Sequence, residues 1–358
     1  MSFIQKILRE KICAENLPGE KIRSEQEFAG ELHCSKSTIH RALNELVENG
    51  FLISKPGIGY FLPVRQLSRQ DTLHCLLIRN SSKPVLQETS GNSLARHLFL
   101  MAPDYGITLE NRNACGVQLE QLLETLLDQR KVDGIFLQPD LSLEWNRAFS
   151  RILREQYPLL LLDYSQLSEQ FHNISTNTFD LGFRAAEYLA KQQGNRPLYL
   201  GYPRDYILSQ RFQGFRAGCD CFGLNSPLCV ETLNRDDEAV ERELAEFFSA
   251  GRQTFDCIFA STPYFTRIAI RQFLRNRWIP GRDFAFVGEG MPPALPGQKF
   301  RPSVFLKPTD SIAALALKSM RELVQQPGRK TIYSIRLQAD FMEGHSCSKN
   351  SNEKKGLV

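Results

Sequence analysis

The sequence predicts an α/β protein, with an N-terminal winged helix-turn-helix followed by a two-lobed core of doubly wound parallel sheets. Three observations lead to this prediction. The first 66 residues read as short helices followed by a β-hairpin. From residue 73 onward, strand-like and helix-like segments alternate. The strand-like segments are continuously apolar, which is typical of parallel strands covered on both faces.

Length and composition are those of a soluble protein with two or three domains. The chain has 358 residues, with 42% hydrophobic and 23% charged residues and a net charge of +4. The net charge permits nucleic acid binding without indicating it. No apolar run approaches the roughly 18 residues of a membrane span, and the N-terminus alternates charged and apolar residues, unlike a signal peptide. We therefore expect a cytoplasmic protein with no membrane partner.

The cysteine pattern indicates neither a disulfide framework nor a metal site. Nine cysteines stand at irregular spacings without a CxxC pair. Cys219, Cys221 and Cys229 lie close together, but no histidine follows at a zinc-site spacing. We predict free thiols in a reducing compartment, and neither a metal nor a cofactor.

Residues 24–50 have the start and stop signals of two consecutive helices. Ser24 and Glu27 form a Ser-x-x-Glu capping box, and Ser35 is placed to cap the second helix. Gly50 suits the left-handed position after its end. The buried face of the second helix is predicted to consist of Ile39, Ala42, Leu43, Leu46 and Val47.

The exposed side of the second helix carries hydrogen-bond donors. They are Lys36, Ser37, Thr38, His40 and Arg41. "FLISK" and "YFLP" read as strands, with Gly57 and Gly59 in the turn and Lys55 at its rim. Two helices and a hairpin in this order predict a winged helix-turn-helix, whose second helix enters the major groove. The alternative is a small α+β cap with a solvated basic face.

The stretch "LPGEKIRSEQEFAGELHCSKSTIHRALNELVENGFLISKPGIGYFL" resembles the DNA-binding domain of the GntR family. The resemblance implies DNA contacts at Lys36, Ser37, Thr38 and His40, and at the wing tip from Lys55 to Gly59. Arg23 stands where the family usually has proline. Gln26 and His40 stand where members often have DNA-contacting arginines, so the family's operator does not carry over. The predicted DNA-binding residues are Arg23, Gln26, Lys36, Ser37, Thr38, His40, Arg41, Lys55, Gly57 and Gly59.

Residues 73–345 contain two sets of alternating strands and helices. The first set of strands comprises "LHCLLIR", "GITLENR", "VDGIFLQP" and "YPLLLLDY", and the second "RPLYLGYP", "PLCVETL", "FDCIFAS" and "FAFVGEG". Two such sets predict two doubly wound lobes. Ligands of such sheets bind at the carboxyl ends of the strands, here in a cleft between the lobes.

This region resembles the effector-binding core of the LacI/GalR repressors, which shares its fold with type I periplasmic sugar-binding proteins. The landmarks include "NTFDLGFRAAEYLAKQQGNRPLYLGYP", "SQRFQGFRAG" and "WIPGRDFAFVGEG". The resemblance implies three crossings between lobes, near 164–166, 304–308 and 328–331, and a homodimer formed through the core.

The resemblance also implies an effector pocket. Arg211 matches an effector-binding arginine, whose guanidinium suits hydroxyl pairs or a carboxylate. Phe259 matches a position that packs on the ligand, although a core phenylalanine is the alternative. The family's acid falls on Gly290, so Glu289 is the candidate replacement. The full predicted set is Asn80, Tyr164, Asn177, Phe179, Arg211, Phe259, Ser261 and Glu289.

The predicted domain boundaries follow from these two resemblances. They are a winged helix-turn-helix at 1–66, a linker at 67–72, an effector domain at 73–345 and a disordered tail at 346–358. Within the effector domain, lobe 1 is expected at about 73–164 and 308–327, and lobe 2 at about 165–306 and 331–345.

We expect a ligand-responsive transcription regulator. The specific expectation is a repressor of carbohydrate-metabolism genes that binds a two-fold DNA operator as a dimer and is released by a small sugar-like effector. One alternative is a solute-binding protein with an N-terminal cap that does not bind DNA. A sugar-modifying enzyme is a third class, but the sequence has no GxSxG, P-loop, HExxH or strand-linked GxGxxG motif, and we predict no catalytic residue.

Overall fold

The computed structural model describes residues 3–16, 19–63, 72–79, 94–139, 143–202, 206–231, 237–249, 254–326 and 332–346. The chain divides into two compact units. Unit 1 comprises Met1–Thr176 and Pro308–Leu337, and unit 2 comprises Asn177–Lys307 and Gln338–Val358.

Unit 1 begins with three helices that match the predicted helix-turn-helix. They are α1 (Phe3–Glu15), α2 (Glu25–Leu32) and α3 (Lys36–Glu48). The capping box is formed as expected: Ser24 Oγ accepts from the Glu27 amide at 3.3 Å, and the Ser24 amide donates to Glu27 at 2.8 Å. The apolar sides of the three helices form a buried core, with Ile39 and Leu43 fully buried at the centre of α3. Val47 is only partly buried, at the edge of this core.

A two-stranded antiparallel wing follows α3. It consists of β1 (Ile53–Lys55) and β2 (Gly59–Phe61), with Lys55 opposite Gly59. The Ile58 amide donates to the Lys55 carbonyl at 3.0 Å and closes the turn. Gly57 and Gly59 have φ values of 73° and 128°, which side-chain-bearing residues rarely adopt, so the turn requires both glycines.

The rest of unit 1 is a six-stranded parallel sheet in the order β13-β7-β6-β5-β3-β4. Its strands are β3 (Leu73–Arg79), β4 (Ile107–Asn113), β5 (Gly134–Gln138), β6 (Leu159–Leu162), β7 (His172–Thr176) and β13 (Ser334–Leu337). Its helices are α4 (Leu94–Met101), α5 (Gly116–Gln129), α6 (Arg147–Glu155) and α11 (Thr309–Gln325). The continuously apolar strands are buried as predicted: every residue of β6 is buried.

Unit 2 contains a second doubly wound sheet in the order β14-β12-β11-β10-β8-β9. Its strands are β8 (Pro197–Gly201), β9 (Leu228–Glu231), β10 (Cys257–Ala260), β11 (Ala285–Glu289), β12 (Ser303–Leu306) and β14 (Asp340–Met342), and only β14 is antiparallel among them. Its helices are α7 (Thr178–Lys191), α8 (Tyr206–Phe222), α9 (Asp237–Ser249) and α10 (Pro263–Arg275). These two sheets and the N-terminal domain are the predicted fold class.

Two of the three expected crossings between lobes lie elsewhere in the chain. The first follows Thr176 instead of residues 164–166, because β7 pairs with β6 in the first sheet. The third follows Leu337 instead of residues 328–331, because β13 pairs with β7. The second lies between Lys307 and Pro308, inside the expected range. The predicted linker lies outside the described residues except for Thr72.

The expected disordered tail begins too early. Ser346 is fully buried in unit 2, its hydroxyl donates to the Phe286 carbonyl at 2.7 Å, and it accepts from the Ser303 amide at 2.8 Å. Ser346 is therefore part of the folded unit, and residues 347–358 of the expected tail lie outside the described residues.

Glycines allow α7 and α8 to pack backbone to backbone. A Cβ added at Gly182 of α7 would lie 2.0 Å from the Arg211 carbonyl oxygen of α8. A Cβ at Gly214 of α8 would lie 2.0 Å from the Phe179 carbonyl oxygen of α7. Larger residues at either position would push the helices apart, and α8 carries Arg211.

Gly182→Ala is expected to destabilise unit 2 by about 1–3 kcal/mol, because the added methyl group meets backbone that cannot rotate away. Urea unfolding followed by Trp278 fluorescence, in a Trp145→Phe background, measures unit 2 separately. Gly30→Ala in α2 is the control, since a Cβ there meets nothing within 4 Å. Because Gly30 lies in unit 1, this change should leave the unfolding transition that Trp278 reports unchanged. Equal effects at both positions would contradict the proposed close packing.

Candidate functional site

The outer face of α3 presents two unpaired cations. Lys36 and Arg41 are exposed, and neither forms an ion pair within the part of the chain that the structure describes. They lie in the first two turns, where the free amides of a helix N-terminus also favour anions. This arrangement suits contact with a phosphate backbone.

The predicted Ser37 and Thr38 hydroxyls are part of the α3 cap. Ser35 Oγ lies 2.8 Å from Ser37 Oγ and 2.7 Å from Thr38 Oγ1, and it accepts from the Thr38 amide at 3.2 Å. Both hydroxyls are held at the helix start. Each retains acceptor capacity for a further hydrogen bond.

His40 is exposed but engaged on both ring nitrogens. Nδ1 lies 2.7 Å from Glu25 Oε1, and Nε2 lies 3.0 Å from Asn44 Nδ2. Tyr60 of β2 joins the same group of side chains. The sequence placed His40 at the DNA-facing surface but contained no signal for its partners, which come from α2 and the wing.

Two further predicted DNA-binding residues, Arg23 before α2 and Gln26 within it, differ in their surroundings. Arg23 pairs with Glu15 at 2.7 Å and Glu31 at 2.8 Å, and its guanidinium lies 4.7 Å from the centre of the Phe28 ring. Its charge is thus neutralised inside the domain. Gln26 is exposed in the first turn of α2. In the wing, Lys55 Nζ lies 4.3 Å from the centre of the Phe61 ring, beside the exposed Ile58.

Polar contacts that the sequence did not predict join the N-terminal domain to the core of unit 1. Arg9 of α1 lies 3.0 Å from Asp310 in the first turn of α11, and His97 Nε2 lies 3.3 Å from the same carboxylate. Arg96 of α4 is buried and donates to the Asn16 carbonyl. Asp310 lies three residues after Lys307, where the chain returns from unit 2 to unit 1.

Unit 2 contains a buried ion pair at the carboxyl ends of its strands. Arg211 Nη1 lies 2.7 Å from Glu289 Oε2, with both side chains 2% exposed. Arg211 also donates to the Ser261 carbonyl. Ser261 follows β10, Glu289 ends β11, and Arg211 lies in the helix after β8. These are three neighbouring strands, and strand order reverses beside β8, where ligands of doubly wound sheets bind.

Open hydrogen-bonding positions remain at this ion pair. Among the described residues, no hydrogen-bond partner reaches Arg211 Nε or Glu289 Oε1, although both atoms are buried. Beside them, burial raises the pKa of Tyr199 to about 12, so its hydroxyl stays protonated at neutral pH. The cluster therefore has an unused donor and an unused acceptor in a site shielded from water.

The remaining predicted pocket residues are not gathered at the ion pair. Phe259 is fully buried in the unit 2 core against Tyr199 and Phe215. This is the alternative of a core phenylalanine, given above beside that of a ligand-packing position. Asn177 caps α7 by accepting from the Asp180 amide at 3.2 Å, and Phe179 is 40% exposed. Tyr164 is buried in unit 1, with its hydroxyl 2.5 Å from Gln166 Oε1. Asn80 lies outside the described residues.

Comparison with known proteins identifies the N-terminal domain. Residues 2–62 match the family model described as bacterial regulatory proteins, gntR family. The N-terminal domain is thus similar to the DNA-binding domain of gntR-family regulators. Over 185 residues the chain is 26% identical to an arabinose metabolism transcriptional repressor from Halalkalibacterium halodurans, a match that covers 48% of this chain and 48% of that protein. The aligned region is thus about half the length of this relative.

Solved structures match more than three quarters of the chain. A transcription regulator like protein from Staphylococcus haemolyticus has a TM-score of 0.61 at 16% identity, covering 78% of this chain and 100% of that one. A LacI family transcriptional regulator from Enterococcus faecium with bound ribose also has a TM-score of 0.61, at 17% identity, covering 77% and 98%. The gntR-family domain is therefore joined to a core with the fold of LacI-family regulators. Within the described residues, no helix is both long and apolar enough to cross a membrane.

Arg211→Ala is expected to destabilise unit 2 by about 3–5 kcal/mol, because it leaves the Glu289 carboxylate buried without a counter-charge. Replacing both residues, as Arg211→Met with Glu289→Leu, should recover most of the loss because no charge remains buried. Urea unfolding of the two single variants and the double variant measures this coupling. Additive single effects would mean that the two side chains do not stabilise each other.

Proposed function

We propose that the protein is a ligand-responsive transcription repressor that binds operator DNA through α3 and the wing. The observation that carries this proposal concerns Lys36 and Arg41, on the exposed face of a helix in the region that matches the gntR family model. Neither cation forms an ion pair with any of the residues that the structure describes. A second helix of this kind reads the major groove, while cations contact phosphates. The gntR match argues against a solute-binding protein with an inert N-terminal cap.

The operator is proposed to be two-fold symmetric and read by a homodimer. One winged helix contacts few base pairs, and a second copy related by two-fold symmetry doubles the sequence that is read. Gln26, Lys36, Ser37, Thr38 and Arg41 are the proposed contacts on the helices. Lys55, Gly57 and Gly59 are the proposed contacts on the wing. Arg23 and His40 remain candidate DNA contacts, although the Arg23 guanidinium and the His40 ring already have partners within the domain.

The effector is proposed to be a small sugar that binds at the Arg211–Glu289 pair in unit 2. The support is the unused donor on Arg211 and the unused acceptor on Glu289, a combination that matches vicinal hydroxyl groups. The names of two similar proteins, an arabinose metabolism repressor and a ribose-bound regulator, point to the same ligand class. Ser261 belongs to this site, and Asn177 and Phe179, also in unit 2, are proposed to approach the ligand from further away.

Coupling between effector and DNA is proposed to pass through Asp310. This residue lies beside the point where the chain leaves unit 2, and Arg9 connects it to α1 of the DNA-binding domain. The ligand shifts the equilibrium only by its different affinity for the two states, so a contact that changes between them is required. We propose that ligand binding lowers the affinity for DNA, so that the operator is released.

Lys36→Ala should weaken binding to all DNA sequences and reduce the slope of log K against log salt by about one, the contribution of one phosphate contact. Fluorescence anisotropy with labelled DNA from upstream of the gene, at several salt concentrations, measures this slope. Lys318→Ala removes an exposed lysine from α11 in the core and serves as the control. An unchanged slope in Lys36→Ala would remove this residue from the interface.

Mobility-shift assays with the wild-type protein should show a shifted protein–DNA band that disappears when L-arabinose or D-ribose is added. In Arg9→Ala, DNA binding and sugar binding should each persist, while the effect of sugar on DNA affinity falls several-fold, because the link from Asp310 to α1 is lost. Calorimetric titration with each sugar measures sugar binding separately. A shifted band that no sugar in the panel changes would leave DNA binding intact and contradict the sugar effector.

A further inference from the structure

Four side chains form a closed ring that joins α2, α3 and the wing. His40 Nδ1 lies 2.7 Å from Glu25 Oε1, and His40 Nε2 lies 3.0 Å from Asn44 Nδ2. The Tyr60 hydroxyl lies 3.0 Å from Asn44 Oδ1 and 3.2 Å from Glu25 Oε1. The Tyr60 hydroxyl also lies 3.5 Å from His40 Nδ1, so each member contacts at least two others. The ring includes one residue from α2, two from α3 and one from β2.

The donors and acceptors in this ring are determined by its chemistry. The Asn44 amide nitrogen has only hydrogens to offer, so His40 Nε2 must accept, and Nδ1–H then donates to the Glu25 carboxylate. Burial, followed by the Glu25 charge, raises the pKa of Tyr60, so its hydroxyl remains a donor at neutral pH. Both ring nitrogens of His40 are therefore used within the protein.

Neither strand of the wing is fully buried. Every residue of β1 is exposed, and β2 is half-buried. Backbone contacts connect β2 to the segment before α2, where the Ile22 amide donates to the Tyr60 carbonyl at 3.0 Å. The Tyr60 side chain is the group in this ring that reaches from the wing to α3.

We propose that Tyr60 is a positioning residue for DNA binding, which fixes the wing against α3 through Glu25 and Asn44. His40 completes this ring and acts through it instead of reading a base. The inference rests on the proposed DNA-binding function and deepens it. It assigns the spacing between the two DNA-contacting elements to side chains that need not touch DNA.

The first test uses the free protein. Tyr60→Phe removes only the hydroxyl, so amide hydrogen exchange in residues 53–61 should accelerate about tenfold, the effect of losing one hydrogen bond to a charged group. Tyr188→Phe is the matched control, because its hydroxyl donates to Glu343 at 3.1 Å in unit 2. Unchanged exchange in the wing of Tyr60→Phe would overturn the inference without reference to DNA.

The second test selects bound duplexes from a random-sequence library. Tyr60→Phe should bind the selected operator about tenfold more weakly, with altered preference only at positions flanking those read by α3. His40→Ala should lose affinity without a change of preferred base at any position. Glu25→Gln, which keeps an acceptor, should bind more tightly than Glu25→Ala.

The outcomes separate this inference from the proposed function. If His40→Ala changes the preferred base while Tyr60→Phe behaves as wild type, His40 reads a base and the positioning role is wrong. If the wild-type protein selects no sequence, the proposed function fails. The exchange experiment still decides whether the ring fixes the wing.

Discussion

The site in unit 2 depends on the common direction of its parallel strands. Parallel strands place their carboxyl ends at one edge of the sheet, so the residue after each strand arrives at the same place. Arg211, Ser261 and Glu289 come from three distant segments and meet only because β8, β10 and β11 are neighbours. The glycines between α7 and α8 complete this geometry, because they let α8 lie close enough for its arginine to reach the sheet edge.

In the N-terminal domain, the distribution of charge determines which residues remain available to a partner. Arg23 and Arg9 both form ion pairs with carboxylates within the protein, whereas Lys36 and Arg41 pair with no carboxylate among the described residues. A modest net charge of +4 is thus compatible with a locally cationic helix face. The ion pairs of Arg23 hold α1 and α2 together, and the ion pair of Arg9 connects α1 to α11 in the core of unit 1.

Much of the fold could be predicted because its signals are local. Capping residues and apolar periodicity located α2 and α3, and continuous apolar runs located the central strands. The strands that were missed are β7, β12, β13 and β14, each of five residues or fewer. Two of them, β7 ("HNIST") and β13 ("SIRL"), are also polar, and they pair with each other and with β6. Ion pairs were the least predictable part. Glu289 and Arg211 are 78 residues apart, and nothing in either local sequence indicates the other.

Ser346 is the last residue that the structure describes, and its side chain is buried in unit 2. Its side chain bridges two strands of the unit 2 sheet, with one hydrogen bond to the segment of β11 and one to that of β12. Shortening the chain to any point before this residue would remove both of these buried hydrogen bonds from the sheet, each worth about 0.5–1.5 kcal/mol. For protein engineering, a cleavage site or fusion partner should therefore leave Ser346 and the residues before it in place.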